Sequence, residues 1–166
     1  YLEAHGTGTA VGDPAEAQAI GDALGCQRAA DSPLPIGSIK SNLGHLEAAS
    51  GVAGLVKALH CLQHRIIPAT IGIETVNPTI DLAALNIEIV TEPRSLDAQS
   101  ELTVGVNSFG FGGANAHVIL QTPADQRQSA SLIDPMAMIP LLLTTRTHEA
   151  LPPLAAAYAQ LLEAPP

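Results

Sequence analysis

The chain has 166 residues, with sixteen Asp and Glu against seven Lys and Arg and a net charge of −9; no basic cluster interrupts the acidic balance, which disfavours a nucleic-acid partner, since phosphate binding needs grouped cations. Hydrophobic residues make up 46% and aromatics only 2%, so the apolar content is largely Ala, Leu, Val and Ile, suited to thin, closely packed layers. No apolar run approaches the roughly 20 residues that span a bilayer, no signal peptide precedes the first motif, and Cys26 and Cys61 form no disulfide framework, all of which point to a cytoplasmic protein without a membrane partner.

The first residues, Tyr1 to Ala4, read as a strand already under way, with chain expected upstream and much of the burial expected against it. His5, Gly6, Thr7, Gly8 and Thr9 then form a glycine-rich bend, in which the glycines let a ligand approach the backbone and the threonines offer hydroxyls. Asp13, Pro14 and Glu16 are spaced as a helix start, with Asp13 as N-cap and Glu16 three residues on. The helix is expected from Pro14 to Leu24, with Gly25 as a left-handed stop. A loop over 27–33 leads to a buried strand over Pro35–Ile39 that delivers Lys40.

Lys40 and His45, five residues apart, lie on a polar bend that runs into a helix expected over Leu46–His64. His45 is expected at or just before its first turn, where desolvation and the helix dipole both disfavour imidazolium. From Ala48 to Gly54 this helix has almost no side-chain bulk. Interior glycine costs about 1 kcal/mol relative to Ala, and close approach of another element is the expected compensation, which puts this helix in the middle of the fold. Its second half, Lys57 to Arg65, is more polar and is expected to emerge into solvent.

A loop from Pro68 to Pro78 precedes strands over 87–90 and 102–108, the bend Phe109, Gly110, Phe111, Gly112, Gly113, and a strand over 115–121. The class is α/β, with a mixed sheet. Residues 122–137 are polar, aperiodic and Pro-bearing and mark a domain boundary. A new strand over 138–145 and an amphipathic helix over 154–163 follow, the helix carrying Leu154, Tyr158, Leu161 and Leu162 on one face, with Pro152 and Pro153 delaying or kinking its start.

Two simpler readings are weak. Gly6, Gly8 and Gly12 approach a dinucleotide fingerprint, but the spacing is one residue too long and no acidic residue at a following strand end completes it. His60 and His64 lie one helical turn apart with Cys61 between, yet such pairs on a helix end are far more often solvated than metal-bound, so no metal is expected.

Taken together, the His5 to Thr9 bend, the Lys40 to His45 turn and the Phe109 to Gly113 bend resemble the C-terminal part of a β-ketoacyl synthase, the condensing domain of fatty acid and polyketide synthases; residues 1–121 carry the likeness. The resemblance implies part of a thiolase-like layered fold with a buried central helix. It implies catalytic roles for His5, Lys40 and His45, pantetheine contacts from Thr7 and Thr9, an oxyanion-hole N–H at Phe111, and gating of the pocket by Phe111 beside Gly112. No cofactor is implied; substrates would arrive on the phosphopantetheine of an acyl carrier protein. The family's nucleophilic cysteine lies in its N-terminal half, and neither Cys26 nor Cys61 matches it.

The implied partners are therefore an N-terminal part bearing that cysteine, the carrier protein, an adjacent acyltransferase domain and a family-like homodimer. Residues 138–166 resemble the start of the ketosynthase–acyltransferase linker. A non-catalytic binding or assembly module is the alternative, and retention of His5, Lys40 and His45 favours the enzyme component.

Overall fold

The computed structural model describes residues 1–97, 99–122, 141 and 143–163. The chain divides into two compact units, Tyr1–Asp125 and Gln126–Pro166. Of the expected 122–137 boundary segment, only Thr122 is among the described residues.

In the first unit, β1 (Leu2–Glu3) leads through the first glycine-rich bend into α1 (Gly12–Ala23), then β2 (Leu34–Gly37), the one-turn α2 (Lys40–Leu43) and α3 (Ser50–His64). After β3 (Ile66–Ile67) come β4 (Ile87–Ile89), β5 (Arg94–Ser95), β6 (Thr103–Phe109) and β7 (Asn115–Gln121). The main sheet has the order β4-β2-β1-β6-β7. Its first four strands are parallel, and β7 returns antiparallel to β6. Strands β3 and β5 form a separate antiparallel ribbon that no sequence period announces.

Strand alternation sorts the side chains to two faces. On one, Leu2, Leu34, Ile36 and Ile87 pack with Ala17 and Ile20 of α1. On the other, Val104 and Val106 pack with Ala58 and Leu62 of α3. The sheet therefore holds α1 and α3 on opposite sides, and the loops leaving β1, β2 and β6 end in one region.

Several local expectations need correction. Helix α1 begins two residues before Pro14, its N-cap is Val11, and Asp13 caps nothing: Asp13 Oδ1 instead accepts the N–H of Gly8 at 3.0 Å. The first turn is met by Thr9, whose Oγ1 accepts the Gly12 N–H at 3.0 Å. Gly25 is not left-handed. It opens a 3-10 turn, and a Cβ there would collide with the Leu85 carbonyl oxygen, so close packing requires the glycine.

Helix α3 begins at Ser50, after a separate 3-10 turn over Glu47–Ala49, rather than at Leu46. Its small residues do allow close approach. A Cβ at Gly51 would lie 2.8 Å from Ser108 Oγ, and one at Gly54 would lie 3.3 Å from both Glu3 Cγ and Val106 Cγ1. The expected polarity of its two halves is partly reversed: Lys57 is buried and ion-paired, while Val52, Val56 and Leu59 form an exposed stripe at helical spacing. His60 and His64 are exposed, and their rings stack with centroids 5.6 Å apart.

In the second unit, α4 spans Leu151–Glu163. Pro152 and Pro153 sit inside its first turn, where the missing N–H groups have no intrahelical partner in any case, so they do not delay the start. Tyr158, Leu161 and Leu162 are exposed. The strand expected over 138–145 lies partly outside the described residues, and residues 141 and 143–145 carry no strand. Among the described residues no helix is long and apolar enough to cross a membrane, and no group of three or more His, Cys, Asp and Glu is placed to hold a metal.

Candidate active site

His5 leaves the end of β1 on a bend that only glycine accommodates. Gly6 has φ 47° and Gly8 φ 75°, and a Cβ at Gly6 would also lie 2.8 Å from Ser38 Cβ. The bend is clamped by Glu16 of α1. One Glu16 oxygen accepts the His5 N–H at 2.8 Å and the other the Gly6 N–H at 2.9 Å. Asn107 Nδ2 of β6 donates to the same carboxylate at 2.9 Å, and Asn107 Oδ1 lies 2.6 Å from His117 Nδ1. Three elements thus fix one short loop, through a residue whose spacing reads as a helix-start signal.

Lys40 is the first residue of α2 rather than the end of a strand. Its ammonium Nζ lies 3.5 Å from His5 Nδ1. An ammonium has no acceptor, so Lys40 donates and His5 Nδ1 accepts. The N–H of the neutral imidazole then resides on Nε2.

His45 follows Gly44, whose φ of 72° turns the chain sharply after α2. Its Nδ1 accepts the Glu47 N–H at 2.9 Å, which again leaves Nε2 as the donor. The two imidazoles meet edge to face, with centroids 5.8 Å apart. His45 is exposed, so the burial expected of it is absent; it lies two residues before the 3-10 turn that runs into α3 and accepts that turn's first N–H.

Burial pushes the His5 pKa down. The Lys40 ammonium and, more weakly, His45 push in the same direction, against Glu16 and Asp13. The Lys40 pKa is also lowered by burial, with Glu3 and Glu16 opposing.

A cavity of about 460 Å³ opens beside Lys40 and His45; His5 is not among its lining residues, although its neighbours Ala4 and Gly6 are. Thr7, Lys40 and His45 line it, as do Ile71 and Ile73 of the loop after β3. Thr9 has its hydroxyl engaged at the start of α1 and does not line the cavity.

The bend after β6 is closed by Gly110 N–H to Ala114 O at 2.7 Å and Gly113 N–H to Gly110 O at 2.9 Å. It leaves Phe111 fully exposed, and neither Phe111 nor Gly112 lines the cavity. The aromatic ring that meets the site is Phe109, 5.4 Å from the His5 centroid at 60°. Strand alternation was the available signal for it, since Phe109 shares the α1-facing side of β6 with Asn107.

Neither cysteine joins the group. Cys26 follows the far end of α1 and its Sγ contacts the Asp22 carbonyl at 2.8 Å, while Cys61 is buried in α3 and burial pushes its thiol pKa up.

Residues 1–74 match the family described as β-ketoacyl synthase, C-terminal domain, and residues 77–166 match the ketoacyl-synthetase C-terminal extension. The chain is 55% identical over 120 residues to the highly reducing polyketide synthase PKS6 of Gibberella zeae, which covers 72% of this chain and 5% of that protein. It is 42% identical over 166 residues to a phenolphthiocerol/phthiocerol polyketide synthase of Mycobacterium tuberculosis, which covers 99% of this chain and 9% of that one. Among solved structures, the oxazolomycin ketosynthase domain OzmH KS7 of Streptomyces albus superposes with a TM-score of 0.70 at 32% identity, covering 100% of this chain and 28% of that chain. Ketosynthase twelve of the bacillaene polyketide synthase of Bacillus amyloliquefaciens gives 0.68 at 36% identity, covering 74% and 22%. The chain thus spans less than a tenth of these curated relatives and under a third of these solved ketosynthase chains.

Proposed function

This chain belongs to the β-ketoacyl synthase family, as a ketosynthase C-terminal domain with its C-terminal extension, and from that premise we propose that it supplies the histidine and lysine half of a site for decarboxylative Claisen condensation. The substrate class is a malonyl-type thioester carried on the phosphopantetheine of an acyl carrier protein. The observation that carries this reading is the matched hydrogen bonding of His5 and His45, whose rings lie edge to face. Each Nδ1 is occupied as an acceptor, by Lys40 Nζ and by the Glu47 N–H, which leaves two Nε2–H donors on adjacent rings.

In the reaction, the bond between the malonyl α-carbon and its carboxylate breaks and carbon dioxide leaves. The electron pair stays on the α-carbon and spreads to the thioester oxygen as an enolate. Two neutral N–H donors aimed at that oxygen stabilise the charge as it forms, which is where stabilisation accelerates a reaction. The enolate carbon then attacks the acyl carbonyl held on a cysteine; a carbon–carbon bond forms and the cysteine thiolate is released. Lys40 orients His5 and adds positive field. Thr7 lines the cavity where the pantetheine arm would enter.

The cysteine is supplied by another part. Cys61 is buried and Cys26 lies at the opposite end of α1 from His5, so neither serves as nucleophile. The exposed stripe Val52, Val56 and Leu59 on α3 supports an N-terminal ketosynthase part as the partner. An acyl carrier protein, an adjacent acyltransferase domain and a homodimer complete the assembly proposed here. Phe111 and the N–H groups of its bend are assigned to that completed site.

The test combines this chain with a ketosynthase N-terminal part and follows carbon dioxide release from malonyl carrier thioester. Substitution His5→Ala or His45→Ala is expected to abolish release while the partner's cysteine is still acylated. Undiminished release from both variants would sink the proposal.

A further inference from the structure

We infer that Glu3 is a positioning residue for Lys40, acting through the backbone N–H of Ile39. The inference rests on the role assigned above to Lys40 and adds what holds it. Glu3 is 1% exposed at the end of β1, on the sheet face that meets α3. Its Oε2 accepts the Tyr1 O–H at 2.6 Å and faces Lys57 Nζ at 2.7 Å, and Lys57 also donates to the Tyr1 hydroxyl at 2.8 Å. Burial, reinforced by the Glu3 charge, raises the Tyr1 phenol pKa, so Tyr1 remains a donor. These contacts hold one oxygen of the carboxylate in a fixed place.

The other oxygen points out of the ion pair. Glu3 Oε1 accepts the Ile39 N–H at 2.5 Å, across 36 residues of sequence. Ile39 is the N-cap of α2 and Lys40 its first residue, so this bond sets the direction in which Lys40 leaves β2. The Lys40 N–H adds a longer bond to Ser38 Oγ at 3.3 Å. A buried ion pair alone contributes little net stability compared with apolar side chains of the same shape. A pair that also grips the residue before the site lysine has a positional use that apolar replacement would not reproduce.

The experiment compares two double variants in the reconstituted complex, because either single change would leave an unpaired buried charge. Glu3→Gln with Lys57→Met keeps an oxygen for the Ile39 N–H, whereas Glu3→Leu with Lys57→Met removes it. The first is expected to keep decarboxylation within about threefold, and the second to lose about tenfold or more in kcat at unchanged KM, as displacement of a catalytic group does. In parallel, competitive acetylation of Lys40 read by mass spectrometry is expected to change in the Leu variant alone. Equal kcat and equal Lys40 labelling in the two would overturn the inference. Should the Leu variant not fold, hydrogen exchange at the Ile39 amide decides it in the Gln variant, where retained protection supports the bond and lost protection overturns it. Full activity of His5→Ala would remove the functional reading alone, since the labelling and exchange contrasts do not use the reaction.

Discussion

The Lys40 ammonium donates to His5 Nδ1 across 3.5 Å, so a cation holds the imidazole in its Nε2–H form. Lys40 is thereby tied to a hydrogen bond that His5 makes elsewhere. The contact also fixes the sign of a pH effect.

Burial first and Lys40 second depress the His5 pKa below 6.5. An unfolded histidine takes up its proton near 6.5 and the folded one only at lower pH. The contribution of neutral His5 to stability is therefore full above that value and declines as pH falls below it. The acid limb of decarboxylation is expected below 6.5 and should move upward in Lys40→Met. Diethylpyrocarbonate modification of His5 against pH reads the same shift in a variant too slow to assay, and an unmoved midpoint would contradict the contact.

His5→Gln and His45→Gln each keep an N–H donor without a titratable ring. At one or both positions Gln is expected to retain measurable decarboxylation where Ala retains none. If Gln is as inactive as Ala at both, and the wild-type rate follows a single histidine titration, proton transfer rather than oxyanion stabilisation is the role.

Glu16→Ala leaves the His5 and Gly6 N–H groups without their acceptor. The expected cost is about 1–3 kcal/mol for each such group kept from water, together with a fall in decarboxylation of about tenfold or more from misplacement of His5. Urea unfolding and single-turnover rates on the same preparation separate the two effects. A variant with wild-type rate would show that the Glu16 clamp does not position His5.

Gly25→Ala should destabilise by about 1–3 kcal/mol, because its Cβ meets the Leu85 backbone rather than a yielding side chain. The rate at saturating substrate is expected to be unchanged, since Gly25 lies beyond the far end of α1 from the site. Thermal unfolding checks the first statement and kcat the second.

Sequence reading reaches furthest where one local rule decides the outcome. Strand β7 falls on its expected residues because a glycine bend and an apolar run delimit it, and His5 meets Lys40 and His45 because the segments leaving the neighbouring parallel strands β1 and β2 carry them. Reading fails where a long-range partner outbids a local one. Asp13 and Glu16 have the spacing of a helix start, yet their carboxylates accept N–H groups of the preceding bend. Lys57 looks solvated until Glu3 is known to lie opposite. Strands β3 and β5 are two residues each and too short to show a period. Phe111 and Phe109 flank the same Gly110, and motif position alone does not separate the exposed ring from the one against His5.

The packing of Glu3, Gly54 and Lys57 also constrains how this segment can drift. A Cβ at position 54 crowds the Glu3 side chain at 3.3 Å, and Lys57 neutralises its charge at 2.7 Å. Loss of either charge alone strands the other in the interior, at about 3–5 kcal/mol, and a larger residue at 54 displaces the carboxylate. Most single-step mutational routes away from this trio therefore cross a poorly folded intermediate. The three positions are expected to behave as one inherited block, changing together between lineages and resisting replacement one at a time, so that grafting position 3 from a diverged relative should succeed only when 54 and 57 travel with it.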